Sequence, residues 1–277
     1  LDLPGAEVLA CWEDGHLVAR AGAPLSAGLF ETLRAEDGVL RLVERHLERL
    51  AGGASRLGLE WPPGSDPREG LAAVGRELGE RVARVRLTLG RDSEGAQRLR
   101  VEGRAYAPPR EPFCLWLGEP GSAPEVHEPP ALKRTEREPW ERARTIARRA
   151  GASDVLLRDR AGRPVEGGAC NVVLALGGRL VTPALATGAL PGVLRGLLFD
   201  LSSEGALPFP LEEGLPSLED LERADEVLVT SALLGIRGVA MVRSVDRERP
   251  FPGPRGVLAA TLAALVEERS RREAGLR

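Results

Sequence analysis

Val43, Leu47, Leu50, Ala54 and Leu57 recur at four-three-four-three spacing, which predicts an amphipathic helix stopped by Gly58. Further on, Val85, Leu87 and Leu89 alternate with Arg84, Arg86 and Thr88, the two-residue period of a half-buried strand. A turn over 90–95 and a return strand near 99–106 follow. The texture changes at 105–113, AYAPPREPF, where three prolines disfavour both helix and central strand. Residues 108–112 are therefore the expected linker between a smaller N-terminal α+β domain, 1–107, and a larger domain, 113–277. In the latter, Trp140, Ala143, Ile146, Ala147 and Ala150 predict a helix closed by Gly151. Short strands are expected at 154–157, 171–176, 179–182 and 225–230. Pro191-Gly192 introduces an apolar helix, 193–201, and a last helix is expected over 256–272.

At 277 residues and 43% hydrophobic content the chain can fill two cores of ordinary size or one large one. It has no apolar run near the roughly 18 residues that cross a bilayer, and its first ten residues carry acids and no basic head. The expectation is a folded protein with no membrane partner. Net charge is −3, with arginines interleaved among Glu and Asp, so nucleic acid is not an expected partner either. Cys11, Cys114 and Cys170 are odd in number and far apart, which suits a reducing cytoplasm. His16, His46 and His127 are equally scattered, and no metal site is expected.

One basic residue stands out. Lys and Arg together number 38, and Lys133 is the single lysine among them. Arginine replaces lysine wherever charge alone matters, but its guanidinium stays protonated and forms no imine. A lone surviving lysine therefore points to amine chemistry.

The surroundings of Lys133 sharpen that reading. Six segments occur in register: GLFETLR at 28–34, RHLERL at 45–50, LKRTE at 132–136, GASDVLLRDRAGRPVEGGACN at 151–171, LVTP with GALPGVLR at 180–195, and DEVLVTSALLGIRGV at 225–239. Together they make the chain resemble the fold type IV (class IV) pyridoxal-phosphate enzymes, which include branched-chain and D-amino-acid aminotransferases and aminodeoxychorismate lyase. The resemblance implies an α+β fold: a smaller N-terminal lobe, a larger C-terminal lobe with a barrel-like sheet, and pyridoxal 5'-phosphate in the cleft between them. It also implies a homodimer acting on a small-molecule amino substrate.

Carried over by resemblance, Lys133 holds the cofactor as a Schiff base and moves protons, which requires an amine that deprotonates near neutral pH. Arg134 beside it is one cation that could help. Glu166 faces the pyridine nitrogen and keeps it protonated. Gly167 and Gly168 let the backbone pass close to the ring, and Asn171 fixes the turn. The phosphate falls to Arg49 and to the free amides of Val193 and Leu194 at a helix start. Ser231 and Ala232 close its other side; relatives often have a threonine at the position of Ala232, so Ser231 or Thr230 is the expected substitute. Thr32, Arg86 and Arg91 are candidate substrate contacts. His46 is read as a packed helix residue and Cys170 as packing. Some aminotransferases of this family place a tyrosine a few residues after the lysine to bond the cofactor's phenolic oxygen, whereas this chain has Glu136, Arg137 and Glu138 there.

Phe30-Glu31-Thr32 and SALLG at 231–235 are closer to the lyases, and the lysine segment lacks the Gly-Gly-Asn-Tyr of branched-chain aminotransferases. The expected activity is aminodeoxychorismate lyase. A class IV aminotransferase for branched-chain or D-amino acids is the alternative, and a non-catalytic α+β binding protein a minor one.

Overall fold

The computed structural model describes residues 7–19, 21–109, 111–126 and 130–276. They form two compact units, one within Leu1–Pro108, Leu132–Glu136 and Ser270–Arg277, the other within Pro109–Ala131 and Arg137–Arg269. Lys133 thus belongs with the first unit.

In that unit β1 (Val8–Glu13), β2 (His16–Leu17), β3 (Ser26–Glu36) and β4 (Val39–Leu40) precede α1 (Val43–Leu57) and α2 (Pro67–Leu78). The hairpin β5 (Ala83–Arg91) and β6 (Gln97–Ala105) follows. The strands make one antiparallel sheet in the order β2-β1-β6-β5-β3-β4. Strand alternation decides its two faces. Leu29, Leu33, Val85, Leu87, Leu89 and Val101 join Leu47, Leu50, Val74 and Leu78 of the helices in one buried core. The predicted seam is α1, and Gly58 ends it in the left-handed region (φ 61), its N–H returning to the carbonyls of Ala54 and Ser55.

α2 and β3 carry no clear periodic signal. Two glycines weaken the helical pattern of α2, yet a Cβ at Gly70 would lie 2.6 Å from the Trp12 ring. The missing side chains let α2 lie close on the sheet, and burial offsets the poor propensity. Gly28 in β3 makes a tighter approach, since a Cβ there would sit 2.1 Å from the Leu89 carbonyl oxygen and 2.5 Å from Gly90 Cα. Gly28→Ala is expected to cost about 1–3 kcal/mol by forcing β3 off β5. A urea midpoint equal to that of the parent protein would contradict this.

The second unit contains β7 (Phe113–Leu117), α3 (Glu138–Arg149), β8 (Asp154–Arg158), β9 (Pro164–Gly167), β10 (Asn171–Leu176) and β11 (Arg179–Pro183). After these come α4 (Val193–Ser203), β12 (Leu211–Gly214), α5 (Leu218–Arg223), β13 (Glu226–Ser231), β14 (Gly235–Arg243), β15 (Glu248–Pro250) and α6 (Val257–Glu273). The last turn of α6, from Ser270, counts with the first unit. Its sheet is mixed, ordered β12-β11-β10-β13-β14-β7-β8-β9, with β15 also on β14 and parallel pairs at β11/β12, β14/β7 and β7/β8. Val172, Val173 and Leu174 are all buried, as are Val227, Leu228 and Val229, so these strands are covered on both faces. That explains why they read as continuous apolar runs.

Candidate active site

The segment carrying Lys133 runs along β3. Phe30 N–H donates to the Lys133 carbonyl at 2.9 Å, Thr135 N–H donates to the Gly28 carbonyl at 2.9 Å, and Leu29 bridges Arg134. This pairing puts Lys133 and Phe30 on the same face, and the Lys133 Nζ lies 4.6 Å from the Phe30 ring centroid. The Arg86 guanidinium sits 3.9 Å from the same centroid. The Phe30 ring thus contacts two cations, each attracted by the ring quadrupole. Arg86, rather than the sequence neighbour Arg134, shares this ring with the lysine. Thr32 lies directly opposite Arg86 in the sheet, so two of the three candidate substrate contacts come together. Arg91 does not join them. Its odd offset from Arg86 turns it to the other face, and its guanidinium donates to the Gly95 carbonyl at 3.0 Å in the hairpin turn.

On the core face of β3 the series Leu29, Glu31, Leu33 places a carboxylate among aliphatic side chains. Glu31 is 1% exposed, and Arg49 grips it with a fork: Nε to Oε1 at 2.8 Å and Nη2 to Oε2 at 2.5 Å. His46 Nδ1 meets Oε2 at 2.7 Å. Burial pushes the Glu31 carboxyl up, but the Arg49 charge and hydrogen bonds from Arg49 and His46 outweigh it and hold the pKa at about 2. Burial also lowers His46 against the pull of Glu31, with help from Arg49 and Lys133. His46 is packed, as its helix position suggests, and it also hydrogen-bonds. Glu31 was missing from the candidate residues, although an acid on the apolar parity of a strand is a signal for a buried partner.

In the second unit Glu166, in β9, is 7% exposed. Its Oε2 accepts the Leu190 N–H at 2.9 Å and its Oε1 the Trp140 indole N–H at 3.4 Å. Asn171 Nδ2 donates to the Leu190 carbonyl at 2.9 Å, so both polar groups of Leu190 are held by candidate site residues. The turn between β9 and β10 rests on Asp154, which sequence reasoning missed. Asp154 Oδ2 accepts the Ala169 N–H at 3.0 Å, and Arg137 donates to the Gly168 carbonyl at 2.8 Å. A Cβ on Gly168 would fall 2.3 Å from Arg144 Cγ, so this turn has no room for a side chain there. Burial, then the Asp154 charge, pushes the Cys170 thiol well up, which makes it inert.

Leu190 leads into Pro191-Gly192 and the start of α4. Gly192 is the N-cap and supplies no side chain to the first-turn amides of Val193 and Leu194. A Cβ at Gly192 would meet Asn171 Oδ1 at 1.9 Å. Thr230 lies opposite Asn171 in the β10/β13 pair, is 1% exposed, and has a buried Oγ1 without a hydrogen-bond partner. The Ser231 Oγ accepts the Leu234 N–H at 3.2 Å and so serves the turn 231–234 that contains Ala232. An uncapped eleven-residue helix beside a buried, unsatisfied hydroxyl fits a phosphate group, and a buried carboxylate held by neutral donors fits a protonated ring nitrogen.

This fit has a direct check. Thr230→Val should weaken cofactor binding about tenfold, the cost of roughly one hydrogen bond to a charged group, without lowering the stability of the cofactor-free protein. Equal cofactor affinity in the two proteins would contradict it.

His127 lies outside the described residues. Among the described residues no helix is long and apolar enough to cross a membrane, and no group of three or more His, Cys, Asp or Glu could hold a metal ion.

The sequence profile of the family described as amino-transferase class IV matches residues 28–242. The chain belongs to the class IV aminotransferases. It is with them a pyridoxal-phosphate-dependent enzyme with a small-molecule amino substrate. A probable branched-chain-amino-acid aminotransferase of Thermotoga maritima is 28% identical over 241 residues, 86% of this chain and 84% of the relative. The solved 4-amino-4-deoxychorismate lyase of Pseudomonas aeruginosa is 28% identical with a TM-score of 0.71, covering 93% of this chain and 98% of that one. The branched-chain aminotransferase of Thermoproteus uzoniensis shares the fold at a TM-score of 0.80 and 21% identity, over 97% of this chain and 96% of that one.

Proposed function

We propose that this class IV enzyme is an aminodeoxychorismate lyase, which removes pyruvate from aminodeoxychorismate and leaves p-aminobenzoate, a step of folate biosynthesis. Pyridoxal phosphate, when bound, supplies an electron sink for the bond broken at the amine-bearing carbon. Lys133 binds it covalently, takes the proton from that carbon and delivers one to the methylene carbon of the departing enolpyruvate. The C–O bond to the enolpyruvyl group breaks with its electrons on oxygen, and those of the C–H bond complete the aromatic ring. No water, oxidant or reductant is consumed.

The other residues bind and orient. Glu166 faces the pyridine nitrogen and favours its protonated form. Arg49, oriented by Glu31, holds the phosphate with the amides of Val193 and Leu194 and the hydroxyl of Thr230. Asn171 fixes the approach of the chain at Gly192, and Ser231 and Ala232 close the far side through their backbone. Arg86 and Thr32 contact the substrate. The family resemblance further makes the protein a homodimer, and its three separated cysteines suit the cytoplasm.

One observation carries the choice of activity: Arg86 shares the Phe30 ring with Lys133. A guanidinium on the ring that the reacting amine also contacts suits a substrate rich in carboxylate, and aminodeoxychorismate carries two. A branched-chain amino acid offers it only the α-carboxylate. The second reading, a branched-chain or D-amino-acid aminotransferase, draws on the long match to the Thermotoga maritima relative. Incubating the holoenzyme with aminodeoxychorismate separates them. Equal amounts of p-aminobenzoate and pyruvate are expected; neither product, with a keto acid formed from an amino donor instead, would select transamination.

A further inference from the structure

Trp140 and Ala143, on one face of α3, pack against the apolar cluster of Ala147, Ala152, Val155 and Leu157. Packing accounts for the body of the indole but not for its polar edge, which donates its N–H to Glu166 Oε1 at 3.4 Å. Arg137, the residue that begins the helix, lies over the same indole at 4.4 Å from the ring centroid and donates to the Gly168 carbonyl at 2.8 Å. Trp140 thus touches an apolar cluster, a guanidinium and the buried carboxylate. Its orientation is set from three sides.

What the contact does follows from the freedom of a glutamate side chain. Its last torsion is broad, so a hydrogen bond at one oxygen, such as that from Leu190 N–H to Oε2 at 2.9 Å, still lets the carboxylate pivot about that oxygen. A donor on Oε1 as well defines the plane. An ionised carboxylate accepts about four hydrogen bonds, so one donor on each oxygen is compatible with a further partner in that plane. The indole suits the task because it is rigid and has only two side-chain torsions to restrain. Other contacts seat the surrounding chain: Arg144 Nε lies 3.5 Å from Asp154 Oδ1, and Asp154 Oδ2 accepts the Ala169 N–H at 3.0 Å. Loss of the indole N–H leaves both of these in place.

We propose that Trp140 is a positioning residue for the cofactor's ring nitrogen: its N–H sets the plane of the Glu166 carboxylate that faces this nitrogen and so helps to keep it protonated. The inference rests on Glu166 being the partner of the pyridine nitrogen, and it applies whether the enzyme eliminates or transaminates. Trp140 acts only through that carboxylate.

Titration of the cofactor-free, full-length protein with pyridoxal phosphate and with 1-deazapyridoxal phosphate tests it, since the second keeps the aldehyde and the phosphate but has carbon in place of the ring nitrogen. The parent protein is expected to prefer pyridoxal phosphate by at least about thirtyfold, and Glu166→Ala to abolish that preference. Trp140→Phe keeps a ring for the apolar cluster and for Arg137 but has no N–H. It should narrow the preference at least about threefold while holding the affinity for the deaza form within about twofold of the parent. Trp140→Leu lacks the N–H as well and should narrow the preference at least as far, which decides the matter should Trp140→Phe fold poorly. An unchanged preference in the variant that folds, or equal weakening of both ligands, would overturn the role of Trp140. The two claims fail separately: a preference lost in Glu166→Ala but intact in Trp140→Phe keeps the pairing of Glu166 with the nitrogen and removes the positioning role alone. Equal affinities in the parent protein remove both.

Discussion

Lys133→Ala protein is expected to lose turnover by at least about 10³-fold while keeping its fold. The chain has no second lysine to take over the role, and an arginine at this position keeps the charge but offers no amine that deprotonates near neutral pH. Lys133→Arg should therefore be as inactive as Lys133→Ala, which separates amine chemistry from charge. Stability should change little, because the segment is seated by backbone bonds at Phe30 and Gly28 that the substitution leaves in place. Turnover within tenfold of the parent protein in either variant would contradict the assignment.

The largest expected loss of stability lies beneath the same strand. Glu31→Gln removes the buried carboxylate that the Arg49 fork and His46 share. Breaking one side of a buried pair costs about 3–5 kcal/mol, more than a surface ion pair could account for. Acid should act in the same direction. The folded pKa of Glu31, about 2, lies below its ordinary 4.5, so its contribution is complete above 4.5 and is lost as pH falls from there toward 2. His46 adds to this, since burial lowers its pKa and the unfolded chain takes up a proton first as pH falls below 6.5. Urea unfolding at pH 7 and at pH 3 should show a wide gap between parent and variant that narrows in acid. A gap below about 0.5 kcal/mol at pH 7, the scale of an exposed pair, would remove the network from the account.

Glu31 also shows where the sequence stops being legible. α1, the β5/β6 hairpin, α4 and α6 stand within a few residues of their predicted limits because each is set by local periodicity and a stop signal such as Gly58. α2 was hidden by Gly70 and Gly75, whose value lies in contacts with Trp12 and Leu40 far along the chain. β3 mixes a close-approach glycine with a core-facing acid and so breaks the alternation. For the candidate site, the motifs singled out Lys133, Glu166, Asn171 and the start of α4, since each lies in a short, recognisable run. They could not choose between Thr230 and Ser231, because that choice depends on the register with Asn171 and on the turn to Leu234. Asp154 escaped for the same reason: its role is to brace a turn fifteen residues away.

The most direct test is to reduce the purified holoenzyme with borohydride, digest it and locate the label by mass spectrometry. The mass of a reduced pyridoxyl group should appear on the peptide containing Lys133 and on no other. A label on the N-terminal amine, or a protein that bleaches without labelling Lys133, would contradict the claim that this amine holds the cofactor.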